Sequence, residues 1–119
     1  MKRVQRKRTK GWKMPENTVY VGRPTKWGNP FTIEKYKNSG CYGVNAPGKY
    51  LNGIIEEYSP LPFLGKDEAL KVACECYKMM IGRDEFLMKE LEELRGKDLA
   101  CWCSLSSPCH ADILIELLA

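Results

Sequence analysis

A chain of 119 residues, 44% hydrophobic and 29% charged, is long enough for one modest globular core and carries no internal repeat. Its longest apolar stretches fall well short of a membrane span, and its basic start lacks the apolar run of a secretion signal, so a soluble, cytoplasmic protein is expected. The formal charge of +4 is uneven: residues 1–13 carry seven basic residues and no acid, leaving −3 on the remainder.

Residues 1–13 therefore read as a basic N-terminal arm or an edge strand, and residues 14–119 as a single α/β domain. An arm of this kind contacts nucleic acid by neutralising phosphates and releasing counterions. An edge strand uses the same lysines and arginines to resist aggregation. Thr18 to Gly22 (TVYVG) alternates as a strand does and leads directly into Arg23 to Phe31 (RPTKWGNPF), where Pro24, Gly28 and Pro30 exclude regular structure. An ordered loop after a strand is where α/β folds place ligand contacts.

Beyond Thr32 the signals weaken. Asn38 to Gly53, rich in Gly, Asn and Pro, reads as an extended loop, and Tyr50 to Tyr58 as a short helix with Leu51, Ile54 and Ile55 inward. Pro60 and Pro62 break the chain between Ser59 and Gly65. Lys66 to Ile81 has helical spacing at Leu70, Ala73, Tyr77 and Met80, with a cap expected near Asp67 and a stop at Gly82. A second helix starts at Asp84, with Leu87, Leu91 and Leu94 as its stripe and Gly96 as its stop. Cys74 and Cys76, two apart on a helix, read as small buried side chains.

Asp98 to Cys103 alternates again and reads as a strand. Ser104 to Ser107 is turn chemistry, and Ser106-Ser107-Pro108 resembles a helix start with a serine cap and a first-turn proline. That arrangement puts Cys109, His110 and Asp112 in the first turn of the last helix, where unpaired N–H groups and the macrodipole favour anions and thiolates. Ile113, Leu114, Leu117 and Leu118 bury the rest of that helix. If the two well-marked strands lie parallel in one sheet, their C-terminal ends open on one edge, and the RPTKWGNPF loop meets the CWCSLSSPCHAD turn. The expected fold is a small single-domain, Rossmann-like α/β unit with a parallel or mixed sheet flanked by helices.

The runs YVGRPTKWGNPF, LRGKDLACWC and PCHADILIELL resemble the family catalogued as domain of unknown function 4326, a small family met in phage and bacterial genomes. The resemblance implies that Arg23, Trp27, Gly28, Asn29, Pro30, Phe31, Cys101, Trp102, Cys103, Cys109, His110 and Asp112 carry the family pattern. It implies no activity. The strand, turn and CH-starting helix are also similar to another α/β family whose chains end in a cysteine–histidine turn.

Three readings of the site stay open. In the first, Arg23, Lys26, Trp27, Gly28, Asn29 and Cys103 help bind a nucleotide-like or phosphate-bearing ligand against the first turn of the last helix. In the second, the pocket is catalytic, a nucleotide or N-glycoside hydrolase or transferase with Cys109 as nucleophile and His110 or Asp112 moving a proton. Adjacent helical residues diverge, however, so Cys109 and His110 do not naturally face each other. In the third, no cofactor being the favoured expectation, zinc sits on Cys103, Cys109 and His110, with Cys41 available to complete the set, although no C-x-x-C knuckle is present. Set against all of these is a nucleic-acid-binding module that uses its basic arm and a structural Cys/His or zinc site.

Overall fold

The computed structural model describes residues 1–35, 41–45 and 65–119. Three short strands, β1 (Arg3–Gln5), β2 (Thr18–Tyr20) and β5 (Asp98–Cys101), form a wholly parallel sheet in the order β1-β5-β2. β5 is central, with Arg3 opposite Leu99 on one side and Val19 opposite Leu99 on the other. A second, antiparallel pair joins β3 (Thr32–Lys35) to β4 (Tyr42–Asn45). The described helices are α1 (Lys66–Arg83), α2 (Glu85–Glu90) and α3 (His110–Leu118), and a 3-10 turn, Leu91–Leu94, continues α2. The protein is thus a small α/β domain. No helix among the described residues is long and apolar enough to cross a membrane.

The two strands read from the sequence do lie side by side and parallel, but the last one is shorter than its alternation suggests. It ends at Cys101, and Trp102 and Cys103 already belong to the bend. Leu99, Ala100 and Cys101 are all buried, whichever way they point, because a central parallel strand is covered on both faces. The expected extended loop over Asn38–Gly53 is corrected at Tyr42–Asn45, where main-chain pairing with Thr32–Lys35 forms β4 despite Gly43. The helix expected over Tyr50–Tyr58 and the break at 59–64 lie outside the described residues.

α1 starts at Lys66 with Gly65 as its cap, not near Asp67. Asp67 and Glu68 occupy the first turn, where negative charge complements the dipole. It also runs through Gly82 to Arg83, since Ile81 is fully buried and its carbonyl receives the Asp84 N–H at 3.1 Å. The Asp84 carboxylate caps α2 by accepting from the N–H groups of Phe86 and Leu87 at 3.0 and 3.1 Å. The chain then turns into β5 through Gly96, whose φ of +79° is the left-handed conformation that glycine adopts without strain.

α3 is capped by Cys109, not by Ser107; the Ser107 N–H is spent on the Ser104 carbonyl at 3.0 Å in the preceding turn. Its buried Ile113, Leu114 and Leu118 join Tyr77, Ile81, Leu94, Leu99 and Val21 in one core. Each aliphatic side chain of this set contributes about 2 kcal/mol on burial, so this face anchors the polar start of α3 against the C-terminal edge of the sheet.

Candidate functional site

The loop after β2 and the turn after β5 line one cavity of about 450 Å³. Tyr20, Gly22, Arg23, Asn29 and Phe31 come from the first segment, and Cys101, Trp102, Cys103, Pro108, Cys109 and His110 from the second. Thr32, Ile33, Leu70, Ala73 and Cys74 complete the wall.

The loop is held from behind. Tyr77, fully buried on α1, donates its hydroxyl to the Trp27 carbonyl at 2.6 Å. Burial pushes the Tyr77 pKa up, so this hydroxyl keeps its proton. The Asn29 side chain donates to the Ala73 carbonyl at 3.3 Å and accepts from the Phe31 N–H at 2.9 Å, while the Asn29 carbonyl accepts from Arg23 Nε at 2.7 Å. Asn29 is therefore a strut between loop and helix whose side chain is already committed. A methyl group on Gly28 would lie 3.0 Å from the Arg23 Cα, so any side chain there forces the Arg23 backbone to give by a few tenths of an ångström.

Of the residues singled out from the sequence, Arg23, Asn29, Cys103, Cys109 and His110 line the cavity. Trp27 turns into the core, 2% exposed. Lys26 reaches away to Glu90 and Glu93 at 2.9 and 2.8 Å, bonds that raise its pKa. Asp112 faces outward and pairs with Arg3 at 3.1 Å. Its carboxyl nevertheless titrates above the usual aspartate value, because burial disfavours its charge more than Arg3 favours it.

The chemically dense part of the wall is a sulfur cluster. The Sγ atoms of Cys101, Cys103 and Cys109 all lie within 4.8 Å of one another, and Cys101 and Cys109 are in S–H···S contact at 3.2 Å. Hydrogen bonds from Cys101 and then Cys109, helped by the charge of Arg3, hold the Cys103 thiol far below its ordinary pKa. Cys101 is pushed the opposite way by sharing its proton with Cys103 and Cys109. Cys74, also in the wall, is pushed up to about 12 by burial. The member of the cluster pushed below its ordinary pKa is thus Cys103, a bend residue that strand alternation had marked only by its direction.

His110 has a defined tautomer. Its Nε2 lies 2.7 Å from the Val21 carbonyl, which can only accept, so Nε2 carries the hydrogen. In the neutral ring Nδ1 then offers a lone pair, 3.7 Å from Cys109 Sγ. The neighbours Cys109 and His110 do meet, because Cys109 is the extended cap residue (φ −148°, ψ 145°) rather than the first helical one. Helical divergence does not apply across that boundary.

Sequence reasoning missed Arg3. Its guanidinium donates to the carbonyls of Ser104, Leu105 and Ser107 at 3.1, 2.6 and 2.8 Å and pairs with Asp112, with only 7% of its side chain exposed. It therefore moulds the turn that carries Cys103 and Cys109. Nothing in the sequence separates Arg3 from the other basic residues of residues 1–13; the pairing of β1 with β5 does. Tyr20 and Trp102, on the cavity rim, were equally unmarked as a pair.

No curated protein and no solved structure matches the chain. A family model does match, over residues 4–119, and the chain accordingly belongs to the family described as Domain of unknown function (DUF4326).

Proposed function

We propose that the cavity binds a nucleotide-like, phosphate-bearing ligand beside a zinc ion held by Cys101, Cys103 and Cys109, with His110 Nδ1 as the fourth donor. The observation that carries this reading is the convergence of three sulfurs on the wall of a cavity large enough for a nucleoside. Zinc–sulfur bonds of about 2.3 Å imply an S···S edge of about 3.8 Å in a tetrahedral site, so the cluster needs about half an ångström of opening from the 3.2 Å between Cys101 and Cys109, and an approach of the His110 ring, whose Nδ1 is near Cys109 but outside the group formed by the three sulfurs. Thiolates and an imidazole are borderline-soft donors that suit zinc. The Nε2–H bond to the Val21 carbonyl is the outer-shell contact that orients a histidine ligand. Three thiolates and a histidine close the coordination sphere, so the ion serves to rigidify the turn. A reducing, intracellular location belongs to this reading, because the thiols must stay unpaired.

The ligand class is supported by the remaining wall. Tyr20 and Trp102 put aromatic rings, stacked with Arg6, on its rim, and Arg23, exposed at the mouth, offers a guanidinium whose Nε alone is committed to Asn29. A second reading, a nucleotide or N-glycoside hydrolase or transferase with a cysteine nucleophile, is favoured by the half-buried position of Cys103 in the wall, where Cys101 and Cys109 are nearly inaccessible. Metal occupancy separates the two, since a zinc-bound thiolate is silenced as a nucleophile.

Native mass spectrometry of protein purified under reducing conditions without chelator should show one zinc per chain. The Cys103→Ser/Cys109→Ser double variant should show none. A wild-type chain without metal leaves the thiol reading standing and removes the zinc. Arg23→Ala, titrated calorimetrically with a nucleoside 5′-monophosphate, should weaken binding about tenfold, equivalent to about 1.4 kcal/mol. Unchanged affinity in a folded variant removes Arg23 as the phosphate contact.

A further inference from the structure

The basic N-terminal segment does not leave the domain as a free arm. Beyond β1 it lies on the rim of the cavity: the Arg6 guanidinium sits 4.7 Å from the centroid of the Tyr20 ring and 4.8 Å from that of Trp102, and the Arg8 guanidinium lies 4.8 Å from Trp102. Both rings line the cavity. Stacking occupies the flat faces of a guanidinium and leaves its in-plane N–H groups pointing outward, the geometry that takes phosphate oxygens in pairs. Among the described residues no carboxylate pairs with Arg6, Lys7, Arg8, Lys10 or Lys13, whereas Arg3 is committed to the turn and Lys26 to Glu90 and Glu93. The rest of the chain is net negative, so this is a local cationic track ending at an aromatic-rimmed cavity.

We infer that this track binds single-stranded nucleic acid, with the phosphate backbone along Arg6 and Arg8 and one nucleotide entering the cavity beside the Tyr20–Arg6–Trp102 stack. A base held in such a cavity must be unstacked from its neighbours, which a single strand permits at little cost and a duplex resists. The inference rests on the ligand reading above only in taking the cavity as the place for a base, and it is independent of the zinc.

The test is fluorescence anisotropy of a labelled deoxythymidine dodecamer against the full chain over a range of salt, beside a nucleoside monophosphate. The dodecamer should bind at least tenfold more tightly than the monophosphate at low salt, with affinity falling as salt rises. Arg6→Ala/Arg8→Ala should cost at least tenfold and reduce the slope of log K against log salt by about 1.4, roughly 0.7 for each phosphate no longer neutralised. Because both arginines also stack on rings, Lys7→Glu/Lys10→Glu, at exposed side chains, provides a second perturbation, expected to weaken the dodecamer while leaving thermal unfolding unchanged. Equal binding of dodecamer and monophosphate, indifference to both double variants, or equal affinity for a duplex of the same length overturns the inference. Failure of the monophosphate alone to bind, with the dodecamer still sensitive to Arg6 and Arg8, condemns the mononucleotide reading and not the track. Absence of zinc affects neither.

Discussion

Replacing Arg3 with alanine should destabilise the fold by about 3 kcal/mol, lowering the melting temperature by roughly 10 °C for a domain of this size. Three carbonyl oxygens of the Ser104–Ser107 turn lose a charged donor at once. Hydrogen bonds to charged groups contribute about 1.5–3 kcal/mol each, but two of the three are at the surface and they act as a unit, so the total is well below their sum. Arg3→Lys should recover only part of the loss, because a point charge cannot reach three carbonyls and a carboxylate as a planar fork does. The Asp112 partner behaves differently. Its pKa in the folded protein is already above the usual value of 3.8 because burial outweighs the opposing effect of Arg3. A carboxyl whose folded pKa is raised weakens the fold at pH above both values, and that penalty disappears as pH falls through the folded pKa towards the unfolded one. Arg3→Ala should raise the Asp112 pKa further, read by NMR titration, and Asp112→Asn should cost less than Arg3→Ala. Equal losses for the two variants would show that the ion pair, and not the carbonyl clamp, holds the turn.

His110→Ala should cost about 3 kcal/mol even in metal-free protein. The buried Val21 carbonyl loses its 2.7 Å donor, which leaves an unsatisfied acceptor worth about 1–3 kcal/mol. The edge-on packing against Tyr77, ring centroids 5.2 Å apart, goes with it, worth about another 0.5–1.5 kcal/mol. His110 is thus the side chain that ties the end of β2 to the start of α3, the two segments whose approach makes the cavity. With zinc present the loss should be larger, since the fourth donor disappears and metal affinity falls by at least about tenfold. Denaturation midpoints measured with and without chelator separate the two roles. A loss that is the same in both conditions, with zinc stoichiometry unchanged, makes His110 a structural bridge alone.

Much of this molecule is legible in its sequence. The alternation of TVYVG and DLACWC marks two strands, and prolines and glycines mark the loop and turn that follow them. Since the two strands pair in parallel, those segments meet at one sheet edge, and the cavity follows from topology. The apolar stripes of α1 and α3 and the start of α2 at Asp84 are also plain, because helical period and side-chain capping are local properties. What only the tertiary structure decided depends on register and on element ends. The difference between Arg3 as a clamp and Arg6 and Arg8 as a cationic rim is set by which residues of β1 pair with β5, a long-range match that composition does not encode. Cys103 is pushed below its ordinary pKa because β5 stops at Cys101 and the bend folds three sulfurs together; strand alternation extrapolated through Trp102 hides that convergence. Cys109 and His110 approach each other only because the helix begins later than its serine and proline suggest. Local chemistry is written in neighbouring residues, whereas the partners of a charge or a thiol are chosen by strand pairing between opposite ends of the chain.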